Sequence, residues 1–194
     1  PDKIDVFLHE IIEKSAMTIS VKTRIGFWSA EEFEELLKVY NRHKLSLLTV
    51  HPRTREDFYK GIPSTDAFKR AYENSTNKLC YNGNIFSKDD YEEIVAKFPN
   101  IDSVMIGRGA IANPAIFREI KGGEKLTIKE LLEFTERLSE KYLELLQSET
   151  FTLYKLKEIW MFVMWNYPDE KKTLKAIKKS NNLTDFKNAI NQLK

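Results

Sequence analysis

Residues 103–117 read SVMIGRGAIANPAIF. A short apolar run, Val104-Met105-Ile106, breaks into Gly107-Arg108-Gly109, and a helix is expected to restart at Asn113-Pro114. An apolar run, a glycine-rich turn and a helix together make one βα unit. Three earlier runs share the layout: MTISVKTRIG (17–26), LSLLTVHPR (45–53) and NKLCYNGNI (77–85). Each is dense in Val, Ile, Leu or Thr and closes near Gly, Pro or Asn. Helical patterns lie between them. Ser29 precedes Ala-Glu-Glu, a helix-start signal, and Phe33, Leu36, Leu37 and Tyr40 recur on one helical face. Ser64 and Ser87 read as further N-caps. Strands alternating with helices of this length imply a parallel sheet, because right-handed crossovers return each strand in the same direction. The expected class is α/β.

The pattern changes after residue 120. KGGEKLT reads as a linker with Thr127 as an N-cap, and helical periodicity then runs over roughly 127–148, 152–166, 169–180 and 184–193. The expected organisation is a βα layer over 1–120 and an all-helical domain over 121–194. Of the 194 residues 42% are apolar, enough for one sizeable core or a core with a satellite. The net charge of +2 argues neither for nor against nucleic acid. Its distribution says more: residues 121–194 carry 14 basic and 11 acidic side chains, with most of the excess beyond Pro168. The one cysteine, Cys80, excludes an internal disulfide and a cysteine-based zinc site, so a reduced, cytosolic setting is expected. No apolar run approaches the roughly 18–20 residues needed to cross a bilayer. The start, PDKIDVFLHEII, has no signal-peptide layout, lacks an initiating Met and opens in a helix, so the chain reads as a piece of a longer protein.

In parallel βα architectures ligands bind at the carboxyl ends of the strands. The expected strands end in Lys22-Thr23-Arg24, His51-Pro52-Arg53-Thr54-Arg55, Asn82-Gly83-Asn84 and Gly107-Arg108-Gly109. Each has an ordinary reading: a solvent-facing pair, a satisfied core histidine, a turn, a loop with an exposed arginine. Four such coincidences at equivalent positions are the stronger argument. Glycines with backbone N–H groups before a helix make a phosphate nest, and a lysine on an inner strand can neutralise an anionic ring. There is no Walker pattern, no G-x-G-x-x-G and no metal cluster; the three histidines are scattered at 9, 43 and 51.

The pieces SVKTRIGF, LTVHPRTREDFYKG, YNGNI and MIGRGAIANPAIF, with YKLKEIWMFVMWNYP further on, give a chain that resembles the tRNA-dihydrouridine synthase family over nearly its whole length. The resemblance implies an FMN-binding (β/α)8 TIM barrel followed by a helical tRNA-binding domain, with the strands here matching the last four of the barrel. It implies reduction of a flipped-out uridine in tRNA, with NADPH as reductant, FMN as cofactor and a cysteine as proton source. The loop bearing that cysteine is not among the matching pieces, and Cys80 reads as a buried structural residue. By resemblance, Lys22 would lie beside the flavin ring and His51 would contact the ring or its phosphate tail. Asn82, Gly83 and Asn84 would bind the phosphate or ribityl chain, and Gly107 and Arg108 would grip the phosphate. Asn84 stands where the family often has Asp. Arg24, Arg53 and Arg55 are candidates for tRNA phosphate or the substrate base.

Lys171, Lys175 and Lys178 fall on one helical face, with Lys155 and Lys157 nearby in sequence. The residues alone allow a solvated lysine face; the resemblance points to a phosphate-reading surface for tRNA. Two further readings stand beside the first. One is an FMN-dependent barrel oxidoreductase acting on a free pyrimidine or other small molecule; the other is a non-catalytic RNA-binding module. Half a barrel leaves two strand edges open, so a homo-oligomer is expected, and the chain by itself is expected to be inactive.

Overall fold

The computed structural model describes residues 1–58 and 61–193. Tyr59 and Lys60, within the quoted LTVHPRTREDFYKG, and Lys194 lie outside the described residues. The first half alternates helices and strands: α1 (Asp2–Lys14), β1 (Val21–Arg24), α2 (Glu32–Asn41), β2 (Leu48–His51), α3 (Thr65–Asn74), β3 (Leu79–Tyr81), α4 (Lys88–Lys97) and β4 (Ser103–Val104). The four strands form one sheet in the order β1-β2-β3-β4, all parallel. The α/β class and the parallel sheet are as expected. The strands are shorter than their apolar runs because only their middles pair.

Register assigns the two faces. Lys22, Thr49, Cys80 and Ser103 are aligned across the sheet, one residue out of phase with Thr23, Val50, Tyr81 and Val104. The second set faces the helices. The Tyr40 hydroxyl of α2 donates to Thr23 Oγ1 at 2.9 Å, and Phe68 of α3 meets Tyr81 edge-on at 4.9 Å. Leu48, Val50, Phe33 and Phe68 are wholly buried there. Period-2 alternation therefore puts Lys22, Arg24, Thr49 and His51 on the opposite face. Cys80 is buried in β3 on that face.

The chain divides into two compact units, Pro1–Asn84 with Asp89–Ile106, and Ile85–Lys88 with Gly107–Lys194. The stretch at 121–126 thus falls inside the second unit. The reason is local: α5 (Arg108–Ala112) packs on α8 (Glu149–Val163), and the Asn166 amide donates to Ala112 O at 2.9 Å. Arg118 on α6 (Ile116–Ile120) ties the glycine-rich segment down, donating to Glu124 O and in a bidentate pair to Glu130 of α7 (Ile128–Leu146). With α9 (Lys171–Lys179) and α10 (Leu183–Ile190), α7 and α8 enclose an apolar cluster that includes Leu131, Leu156, Trp160, Val163, Ile177 and Phe186.

Helix starts follow the sequence in part. Ser64 Oγ accepts from Ala67 N, and Thr127 Oγ1 from Glu130 N, as N-caps should. Ser29 is not the cap of α2: the Glu32 carboxylate reaches back to accept from the amides of Phe27, Trp28 and Ser29. The helix after β4 starts at Arg108 rather than at Asn113-Pro114, because Gly107 (φ −101°, ψ −90°) turns the chain at once. Asn113 instead ends α5, and its Oδ1 accepts from Ala115 N ahead of α6. No helix among the described residues is long and apolar enough to cross a membrane.

Candidate functional site

The C-terminal ends of β1 and β2, with the loop after β2, carry Lys22, Arg24, His51, Arg53 and Arg55. Lys22 is exposed, and partial burial, then the nearby Arg24 guanidinium, hold its ammonium below the ordinary lysine pKa. Both disfavour the protonated form. Two residues on, Arg24 Nη1 donates to Thr54 O at 2.6 Å and Phe58 O at 3.0 Å, fixing the loop after β2. That loop is braced from within, since Thr54 and Asp57 exchange side-chain-to-amide bonds of 2.7 and 3.2 Å. These bonds hold the Asp57 carboxyl below its usual range. Arg55 lies over the Phe27 ring at 4.5 Å, and its amide donates to Gly26 O.

His51 is 8% exposed and Arg53 only 1%. Arg53, expected at an RNA-facing surface, is buried: its guanidinium donates to Gly61 O at 2.5 Å and Asn84 Oδ1 at 3.2 Å, and stands 3.4 Å from His51 Nε2. In this arrangement it is a bracing group and not a surface cation. After β3 the Asn82 amide donates to Met105 O at 2.9 Å. A Cβ at Gly83 would collide with the Tyr81 hydroxyl, so only glycine allows the chain to pass there. Burial pushes that Tyr81 hydroxyl up to about 12. The first unit thus brings His51, Arg53 and Asn84 into one cluster, with Lys22 and Arg24 on the same sheet face.

A cavity of about 540 Å³ in this unit lies elsewhere, beside the outer edge of β1, lined by Thr23, Phe27, Leu36 and Tyr40 among others. Its walls belong mainly to the helix-facing side of β1, so it is not the space above Lys22.

In the second unit, Gly107 has room for a Cβ and a negative φ, so nothing local demands glycine. Arg108 stands 5.7 Å from both the Phe86 and Trp165 ring centres, a double cation–π contact. Lys171, Lys175 and Lys178 are exposed on α9, and no carboxylate pairs with them among the described residues. The two lysines of α8 differ. Lys155 pairs with Glu158 at 3.2 Å, while Lys157 donates to Lys178 O and Ser180 O at 2.8 and 3.0 Å, capping the end of α9. No group of acidic, histidine or cysteine side chains among the described residues could hold a metal ion.

Sequence reasoning missed the Glu32 brace and the Phe86–Trp165 pair around Arg108. The first had a signal: Ser29 and Glu32 have the spacing of a capping box. The second had none, because Phe86 and Trp165 are 79 positions apart in sequence.

Parallel βα units whose strand ends carry lysine, histidine, arginine and asparagine define an α/β protein with a donor-rich rim. The chain matches the dihydrouridine synthase family over residues 1–194 and belongs to that family. It is 29% identical over 149 residues to tRNA-dihydrouridine synthase B of Pasteurella multocida, covering 76% of this chain and 43% of that protein. It is 32% identical over 123 residues to tRNA-dihydrouridine synthase B of Proteus vulgaris, covering 62% and 38%. A probable tRNA-dihydrouridine synthase of Aquifex aeolicus is 28% identical over 127 residues, covering 64% and 40%. The chain therefore spans about two fifths of the length of these relatives.

Proposed function

We propose that this chain supplies the flavin-facing rim and an RNA-facing helical region of an enzyme that reduces uridine to dihydrouridine in tRNA. The four strands are then the C-terminal half of a (β/α)8 barrel, and residues 121–194 carry the helical tRNA-binding domain. The observation that carries this reading is the shared sheet face of Lys22, Arg24 and His51, with Asn84 braced beside His51, in a chain of this family.

The donor set fits FMN. An ammonium, an imidazole and amide groups suit phosphate, ribityl oxygens and an electron-rich ring, and none of them brings negative charge. Bound there, FMN supplies hydride chemistry with NADPH as reductant. Lys22 offers positive charge beside a ring that becomes anionic on reduction. His51 and the Asn82–Asn84 turn orient the ligand, while Gly107 and Arg108 of the second unit are phosphate-contact candidates by the family resemblance alone. Arg24 and Arg55 face substrate or RNA phosphate, while Arg53 serves the site from behind. On α9, Lys171, Lys175 and Lys178 present three exposed charges to the tRNA backbone, with Lys155 of α8 a weaker contributor because it shares its charge with Glu158. Lys157 supports that helix from beneath.

Cys80 is buried in a strand and is not placed to serve as the cysteine proton source that the family resemblance implies. Strands β1 and β4 are the two edges of the sheet, and a second copy or a further segment is expected to cover them. FMN titration followed by flavin fluorescence tests the reading. Saturable quenching that weakens about tenfold in Lys22→Met is expected. Dihydrouridine formation by the monomeric chain would overturn the incomplete-site account.

A further inference from the structure

We infer that Arg53 is a positioning residue that fixes the hydrogen-bonding sense of His51 and Asn84, leaving Nδ1–H as the donor end of His51 and the NH2 as the donor end of Asn84. Arg53 sits two residues after His51 and is 1% exposed, so its charge does not meet solvent or an external phosphate directly. A guanidinium has five N–H donors and no acceptor. The atom facing it on each partner must therefore present a lone pair. On His51 that atom is Nε2, 3.4 Å from Nη1; on Asn84 it is Oδ1, at 3.2 Å from the same nitrogen.

Two consequences follow from hydrogen-bond arithmetic. With its lone pair on Nε2, neutral His51 carries its proton on Nδ1. With Oδ1 turned toward Arg53, Asn84 has its NH2 at the other end of the amide. The cluster converts two ambiguous side chains, each able to donate or accept, into two of defined polarity. Nη2 meanwhile donates to Gly61 O, so the same guanidinium also holds the backbone at Gly61. The rigid fork makes this possible; a lysine reaches one acceptor at a time with no fixed plane.

The assignment of FMN as the ligand rests on the proposed function; the polarity of the cluster does not. The test is long-range ¹H–¹⁵N correlation NMR of His51 in the unliganded 194-residue chain, above the titration range of histidine. The wild-type chain is expected to show His51 as the Nδ1–H tautomer. Arg53→Met, checked for folding by circular dichroism, is expected to shift it to the Nε2–H form that histidine prefers in water. Arg53→Lys should give a mixture. An Nε2–H His51 in the wild-type chain overturns the inference without any variant, as does an unchanged spectrum in folded Arg53→Met. FMN titration alongside separates the two claims. Loss of about tenfold in flavin affinity in Arg53→Met, with the tautomer shift, supports both. A wild-type chain with Nδ1–H His51 and no saturable FMN binding contradicts the cofactor reading and leaves the role of Arg53 standing.

Discussion

The two units handle positive charge in opposite ways. In the sheet unit the arginines after β1 and β2 are engaged: Arg24 holds Thr54 and Phe58, Arg53 holds Gly61 and Asn84, and Arg55 lies over Phe27. In the helical unit Lys171, Lys175 and Lys178 of α9 stand exposed, without carboxylate partners among the described residues. Braced charges shape a site for a small ligand, where an error of an ångström matters. Exposed charges suit a polyanion, where summed charge matters more than geometry.

This contrast can be broken at several points. The largest effects belong to the cores. Phe68→Ala in the sheet unit and Trp160→Ala in the helical unit each remove a buried ring and should cost about 3–5 kcal/mol in urea unfolding. Thr135→Val is the sharper variant, because Trp160 Nε1 donates to Thr135 Oγ1 at 3.2 Å inside the core. Its loss leaves a buried indole N–H unmatched and should cost about 1–3 kcal/mol by the same measurement. Lys157→Met removes the two bonds to the end of α9 and should cost about 0.5–1.5 kcal/mol, with faster amide exchange at 178–181. If Lys157→Met changes only tRNA affinity, its capping role is wrong.

The smallest effect is a pH dependence in the sheet unit. Three backbone amides hold the Glu32 carboxyl below its usual value of 4.5. Its contribution is present above that value and is lost as the pH falls through the lower, folded one. Thermal melts between neutral and acidic pH should show Glu32→Gln flattening the acid limb. An identical pH profile for the variant would show that the carboxylate does not brace the 27–29 turn.

Much of this architecture is written in local pattern. The alternation of apolar runs and amphipathic segments marks the four strands and the helices between them, and Ser64 and Thr127 cap where their sequence says they should. The lysine stripe of α9 follows from helical spacing alone. What local pattern hides is partnership across distance. HPRTR shows two arginines two positions apart and equally charged. Only the fold places Gly61 O and Asn84 Oδ1 around the first and the Phe27 ring under the second. Likewise Pro114 suggests a helix start at 113, but the backbone turn at Gly107 begins one five residues earlier. The Lys157 ammonium reads as one more surface charge until α9 ends above it.

The central claim is that this chain carries an RNA-facing surface as well as a flavin rim, and the most direct measurement is tRNA binding as a function of salt. Fluorescence anisotropy with labelled tRNA should give an affinity that falls steeply with added salt. The double variant Lys175→Glu/Lys178→Glu should weaken binding at least about tenfold and reduce the log–log salt slope by about 2. A folded double variant with unchanged affinity and slope would contradict the account.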